Sequence, residues 1–244
     1  MAADRPSATV VVDVAVQPRR FDLLGEIYST ILVPSFRPDE LEPLAAIEQA
    51  LTKEPCSKDV LAAMDGDSQV LGVAIGEWDE QSRVYLLSYL AVRPGLRSQG
   101  VGTRLMHDIE QRWQRRDALF VLAEVDDPQV YPASDVGDPV ARLRFYERFG
   151  ARVLDLAYTQ PPVRPGGAPV PGMLLLVFAV RPAALVATSP PMLDAAVLAS
   201  FMRGYAGCAD GPEEIQDPGG SPTLAHLLSV HGVAVLPLSG LADR

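Results

Sequence analysis

Cysteine is nearly absent from this 244-residue chain, which carries only Cys56 and Cys208. Two cysteines cannot build a disulfide framework, and neither has a second Cys or a His at metal-ligand spacing, so both are expected to be reduced and structural, with no metal. Long apolar runs are missing as well. The longest, Met173 to Val180, spans eight residues, against the roughly 20 that a membrane-spanning helix needs. No charged-then-apolar leader with a small-residue cleavage site opens the chain, so a cytoplasmic protein without a membrane partner is the expectation. Basic charge is also short. Lys and Arg number 21 against 31 Asp and Glu, a formal net charge of −10. Phosphate neutralisation requires a basic face, so nucleic acid is not an expected partner, whereas a cationic amine would be attracted. The three histidines, His107, His226 and His231, stand alone and are expected to be surface or packing residues.

What is present is enough apolar material for one good core and an appended element, at 48% apolar and 21% charged residues. β-Branched residues predict a first strand over Ala8–Val16. Apolar spacing predicts a helix from Phe21 through Leu24, Ile27 and Ile31, and another over Asp39–Leu51 with Leu41, Leu44, Ile47 and Leu51 on one face. Val60–Met64 and Val70–Trp78 flank the turn Asp65-Gly66-Asp67 as a hairpin. Then follow a long strand over Val84–Val92, a helix from Gly100 to Arg115, a strand over Leu119–Val125 and a helix over Pro139–Phe149. Two last strands, Arg152–Tyr158 and Met173–Val180, are joined by the Pro- and Gly-rich stretch Gln160–Gly172.

Residues 182–244 begin with a helix expected at Ser189-Pro190-Pro191, where Pro would occupy the first turn, and Leu193, Val197, Phe201 and Tyr205 follow at intervals of four. Asp210–Pro222, rich in Gly, Pro and acid, predicts a mobile linker. A short helix near Leu224–Val230 and the apolar Val233–Leu238 close the chain. This extension can pack on the core, cover a cleft or pair two subunits as a homodimer.

The most informative stretch is Leu90-Ala91-Val92-Arg93-Pro94-Gly95-Leu96-Arg97-Ser98-Gln99-Gly100-Val101-Gly102-Thr103. An apolar strand runs into a basic turn that opens an amphipathic helix. The N–H groups at a helix start have no intrahelical partner, and the macrodipole adds about half a positive charge there, so an anion is favoured. Gly100 and Gly102 let the backbone approach phosphate oxygens, and Arg97 adds a charge-assisted contact. A dinucleotide fingerprint competes for these residues, because Glu124 lies about 20 residues on, as an acid should. Leu105 stands where its third Gly or Ala belongs, and a strand and hairpin precede the motif.

Arg97-Ser98-Gln99-Gly100-Val101-Gly102 resembles motif A of the GNAT superfamily of acyl-CoA-dependent N-acyltransferases: Arg or Gln, two residues, Gly, any residue, then Gly or Ala. Phe145-Tyr146-Glu147-Arg148-Phe149-Gly150 is similar to the family's late helix, in which an aromatic–Tyr pair precedes by four residues the Gly that ends it. The resemblance implies an α/β fold with a mixed, splayed central sheet flanked by helices over residues 1–181, plus a C-terminal extension over 182–244. It implies acetyl-CoA as co-substrate and a primary amine, small-molecule or protein, as acceptor, attacked directly in a ternary complex. The alternative it leaves is an acyl-CoA-binding regulatory or scaffolding module without turnover. Leu90, Ala91 and Val92 would meet the pantetheine arm. Arg97, Ser98, Gln99, Gly100, Val101, Gly102 and Thr103 would hold the pyrophosphate.

Tyr146 would then be the general acid for the leaving thiolate. Glu124, at the end of a central strand, is the candidate general base, with substrate binding, loop capping or a pair with Arg142 as its other uses and Asp126, Asp127 and Glu77 as its rivals. The family's frequent Asn after this strand is missing from Glu124-Val125-Asp126-Asp127-Pro128. The insertion Pro128–Asp138 with Tyr131, and Tyr158-Thr159-Gln160-Pro161, are expected to shape the acceptor pocket.

Overall fold

The computed structural model describes residues 9–53, 56–135, 137–210, 221–239 and 241, with side chains at 206–210 left undescribed. They fall into two compact units, one of Met1–Phe36, Pro43–Glu77 and Leu87–Arg115, the other of Arg37–Glu42, Trp78–Leu86 and Arg116–Arg244.

In the first unit, β1 (Val10–Asp13) pairs antiparallel with β2 (Lys58–Met64), which pairs antiparallel with β3 (Val70–Asp79). β4 (Val84–Val92), mostly apolar and in this unit from Leu87 onward, follows β3 in the order β1-β2-β3-β4. The hairpin turn is fixed by Asp65, whose Oδ1 accepts from the Asp67 and Gln69 amides at 3.0 and 2.9 Å. The first strand is shorter than its β-branched run, because Asp13 accepts from the Ala15 amide at 2.9 Å and turns Val14–Val16 into a 3-10 helix. Helix α1 (Arg20–Ile27) continues into a π turn at Tyr28–Leu32. The expected helix Asp39–Leu51 is α2 over Leu44–Ala50 only. Pro43 explains its start, since a proline disfavours helical geometry in the residue before it and has no N–H to give. Leu24, Ile27, Ile31, Ile47, Val60, Val73 and Leu105 are fully buried here. Helix α3 (Val101–Arg115) buries Val101, Leu105, Met106, Ile109 and Trp113.

In the second unit, β5 (Phe120–Asp126) pairs antiparallel with β8 (Val170–Val180), Glu124 opposite Leu175. The expected strand Arg152–Tyr158 is broken into β6 (Arg152–Leu154) and β7 (Tyr158–Gln160), which pair with different ends of β8. The break sits where the Asp155 amide turns to donate to the Ala234 carbonyl at 2.9 Å. Helix α4 (Pro139–Glu147) precedes β6.

The helix expected to start at Ser189-Pro190-Pro191 is present and carries Val197, Phe201 and Tyr205, but it starts later than expected. Leu185–Thr188 and Pro191–Asp194 form an antiparallel pair, β9 and β10, and α5 (Ala195–Asp210) begins four residues later. Asp194 explains that start, because its Oδ1 accepts from the Ala196 amide at 2.8 Å. α6 (Pro222–Ser229) and β11 (Gly232–Pro237) follow; the linker expected over 210–222 lies, from 211 to 220, outside the described residues. β11 pairs with β6 on one side and β10 on the other. Leu193, Leu198, Phe201, Met202, Leu224, Leu227, Val233 and Val235 share one core with Phe120, Leu122, Leu175 and Val177. Residues 182–244 therefore supply part of this unit's interior. Among the described residues no helix is long and apolar enough to cross a membrane.

Candidate active site

In the first unit, β4 ends at Val92 and the Arg93 amide continues the ladder to the Leu71 carbonyl at 2.8 Å. The Arg93 side chain is committed to structure, donating to the Val70 carbonyl at 2.7 Å and facing Glu26 at 3.4 Å. A turn closed by the Leu96 amide on the Arg93 carbonyl brings the chain to Arg97–Gly100, all exposed. Gly100 has φ +83°, where a Cβ is strained, and a Cβ there would meet nothing within 4 Å. The first amide of the helical ladder is that of Arg104, donating to the Gly100 carbonyl at 3.0 Å. Val101, Gly102 and Thr103 thus precede the ladder with their N–H groups at the positive end of a 15-residue helix, and no acid lies in its first turn. Such a helix start favours an anion.

Gly72 on β3 seats that helix. A Cβ on Gly72 would lie 2.9 Å from the Ala91 carbonyl oxygen and 3.0 and 3.1 Å from side-chain carbons of Leu105 and Val101. In a dinucleotide fingerprint, close helix–strand packing comes from the third glycine of the loop. Here it comes from the strand, and Leu105 fills the space.

In the second unit, Glu124 is half-buried and accepts three hydrogen bonds. The Tyr158 hydroxyl donates to Oε1, and Gln160 Nε2 and the Tyr205 hydroxyl donate to Oε2 at 2.9 and 2.8 Å. Burial pushes the Glu124 carboxyl up from the ordinary range, opposed by its three donors and reinforced by the charge of Glu42. Burial beside this carboxylate pushes the Tyr158 phenol well up. Among the described residues, no cationic side chain pairs with Glu124.

Its rivals are differently placed. Asp126 is paired with Arg37 at 2.8 Å and Arg142 at 3.5 Å, so Arg142 serves Asp126 and not Glu124. Glu77 is paired with Lys58 at 2.6 Å, and Asp127 accepts from the Gln129 amide at 2.9 Å. Arg37, 4.0 Å from the Tyr131 ring centre, also pairs with Glu40 and stacks the insertion loop against this network. Nothing in the local sequence spacing of Arg37 or Glu40 marks either residue for this network.

Tyr146 lies on α4, whose start is fixed by Asp138 accepting from the Ala141 amide at 3.1 Å with Pro139 behind it. Gly150, φ +78°, ends the helix as expected. The Tyr146 ring meets Phe178 edge-on at 5.3 Å and is 5% exposed; its hydroxyl makes no hydrogen bond among the described residues. Burial pushes its phenol up to about 12, with Arg142 one turn earlier opposing the shift. Tyr146 and Glu124 make no hydrogen bond to each other. A separate cavity of about 230 Å³, lined by Pro38, Asp39, Val163, Arg164, Gly167 and Ala168, touches none of these groups. No cluster of three or more His, Cys, Asp or Glu able to hold a metal occurs among the described residues.

Residues 57–150 match the family described as the acetyltransferase (GNAT) domain. Over that stretch the chain is similar to GNAT acetyltransferases. A GNAT-family acetyltransferase structure from Bacteroides thetaiotaomicron is 21% identical, covers 72% of this chain and 89% of its own, and superposes with a TM-score of 0.50. That likeness shows the fold, a mixed sheet flanked by helices. Also similar are a GNAT-family protein from Desulfovibrio desulfuricans, 17% identical over 71% of this chain and 100% of that one with TM-score 0.49, and the ribosomal-protein-S18-alanine N-acetyltransferase of Escherichia coli, 13% identical over 74% and 100% with TM-score 0.48. No curated protein matches the chain. The GNAT match contains the glycine turn, Glu124 and Tyr146, and stops before Tyr158, Gln160 and Tyr205.

Proposed function

We propose that the protein is an acetyl-CoA-dependent N-acetyltransferase in which a primary amine attacks the thioester directly in a ternary complex. The observation that carries this reading is the acid-free start of α3, with Gly100 at positive φ and open space before it, inside the stretch that matches a GNAT acetyltransferase domain. Bound acetyl-CoA would supply the thioester carbon that the amine attacks. Arg97, Ser98, Gln99, Gly100, Val101, Gly102 and Thr103 hold the pyrophosphate, and the backbone of Leu90, Ala91 and Val92 meets the pantetheine arm.

Glu124 holds the ammonium form of the acceptor and takes its proton, and Tyr146 gives a proton to the departing sulfur. A phenol near 12 is a weaker acid than a thiol of about 8.5. The transfer must therefore be concerted with departure, and the hydroxyl contributes through its position more than its acidity. Cys56 is spent on backbone, facing the Ala50 and Lys58 carbonyls at 3.4 and 3.1 Å, which gives no support to a Cys56 acyl-enzyme.

The test pairs thermal unfolding with CoA or NADH with a screen of amines plus acetyl-CoA that follows free thiol. A CoA-specific shift with thiol release is expected. A shift without release from any amine would make the protein a CoA-binding module, and a shift with NADH alone would overturn the reading.

A further inference from the structure

Glu124 draws its donors from two distant segments, and the donors and acceptors around it do not balance. A carboxylate offers about four acceptor positions. Tyr158 takes one on Oε1, and Gln160 and Tyr205 take two on Oε2, which leaves a position on Oε1. Gln160 gives its Nε2 to Glu124, while its own Oε1, on a side chain 5% exposed, is buried with no partner among the described residues. Acceptors are in excess, the charge is negative, and every donor is neutral. A group with several N–H donors and a positive charge, a primary ammonium, answers all three.

The C-terminal helices hold this arrangement from two sides. On α5 the Tyr205 ring stacks on Phe201 one turn earlier, at 5.5 Å and 19°, which aims its hydroxyl at Glu124. On α6 the fully buried Thr223 hydroxyl accepts from the Thr159 amide at 3.1 Å and donates to the Ala157 carbonyl at 3.2 Å. Those are the backbone groups on either side of Tyr158. One helix thus fixes the acid and the other fixes the strand that carries two of its donors.

We propose that the C-terminal segment is a working part of the acceptor site: Tyr205 is a positioning residue that sets Glu124 to receive the ammonium of a cationic primary-amine acceptor, and Thr223 keeps Tyr158 and Gln160 in place to complete it. The proposal rests on the N-acetyltransferase reading for the acceptor being an amine. The groups that bear on the Glu124 charge are Tyr158 on β7, Tyr205 on α5 and Glu42, with Gln160 as the neutral fourth. Tyr205 lowers the Glu124 titration midpoint, so removing its hydroxyl raises it.

The experiment labels the Glu side-chain carboxyl carbons with ¹³C, assigns Glu124 by Glu124→Gln, and titrates the protein with n-butylammonium and, as a cation without N–H groups, tetramethylammonium. The Glu124 signal should respond saturably to n-butylammonium only. Tyr205→Phe keeps the ring on Phe201 and should weaken that binding about tenfold and move the Glu124 midpoint upward. Equal responses to both cations, no response in the intact protein, or an unchanged midpoint and affinity in Tyr205→Phe would overturn the proposal. If Tyr205→Phe does not fold, Thr223→Val must show the same two changes, and their absence counts against the proposal equally. CoA-induced stabilisation separates the two readings. Its absence sinks the acetyltransferase reading, whereas CoA binding and amine turnover that are indifferent to Tyr205→Phe sink this inference alone.

Discussion

The glycine turn before α3 and the cluster around Glu124 are built in opposite ways. The turn is seven consecutive residues, Arg97 to Thr103, and what it offers is set by local backbone geometry and the N–H groups at the start of one helix. The cluster joins Glu124 to partners 34, 36 and 81 residues away. It exists only after β7, β8 and α5 have found their places. The turn presents backbone N–H groups at the positive end of a helix; the cluster presents a carboxylate held by side chains. A short motif can specify the first because every constraint on it is local. The second requires ordering long stretches of chain before any hydrogen bond repays the cost.

Cutting the chain after Arg181 tests this contrast with the largest effect. It removes β10, β11, α5 and α6, and with them Leu193, Leu198, Phe201, Met202, Leu224, Leu227, Val233 and Val235 from the core of the second unit. At about 1.5–3 kcal/mol for each large buried side chain, the loss matches or exceeds the whole stability of a typical domain, about 5–15 kcal/mol. Loss of near-UV dichroism and strong binding of a hydrophobic dye are expected; a truncated chain with an intact cooperative transition would mean that residues 182–244 only decorate the surface.

Tyr146→Phe comes next. The ring and its contact with Phe178 are kept, and the hydroxyl makes no hydrogen bond among the described residues, so stability should hardly change. Turnover should nevertheless fall by about 10²–10⁴ while acetyl-CoA affinity stays put. A fall of less than about threefold in kcat, where chemistry limits turnover, would leave Tyr146 a packing residue and water the proton source.

Legibility followed the same line. β4 was bounded to the residue by its apolar run, and the ends of α3 and α4 lay within two residues of those expected, because caps and glycines at 100, 138 and 150 act on their immediate neighbours. The start of the helix expected at Ser189-Pro190-Pro191 is displaced to Ala195 because two prolines suit a strand edge as well as a helix start, and pairing of β10 with β9 and β11 decides it. Glu124 could be suspected from its place at the end of a strand. Its partners could not, although Tyr205 left a trace as the one side chain with a polar tip on an otherwise apolar four-residue stripe. The pairing of Arg37 with Asp126, 89 residues apart, left none.

The turn can be attacked without touching the cluster. Gly102→Glu puts a carboxylate where the pyrophosphate charge is to sit, at the same helix end that attracts it. At a CoA concentration of 100 Kd, the unmodified protein should gain about 2.7 kcal/mol, and the variant should gain almost none. Its unfolding without CoA and its Glu124 titration should match those of the parent. An unchanged CoA affinity would place the cofactor elsewhere.

The smallest effect separates the two kinds of carboxylate within the second unit. Glu40, 6% exposed, sits beside Asp126 and Arg37, and its carboxyl is pushed up to about 7, first by burial and then by the Asp126 charge, against the pull of Arg37. A folded-state value above the unfolded one means that the folded protein binds more protons between the two. Stability from this group is therefore complete below about pH 4.5 and is lost as pH rises through about 7. Between pH 5 and pH 7.5 the loss should be about 2 kcal/mol. Glu40→Gln keeps an acceptor for Arg37 and offers Asp126 a permanent donor, so the variant should lose less over the same range and be the more stable of the two at pH 7.5. Denaturant unfolding of both proteins at the two pH values measures it. A pH-independent difference between them would show that Arg37 already neutralises Glu40 as fully as it does Asp126, in contrast to Glu124, whose hydrogen-bond donors are all neutral.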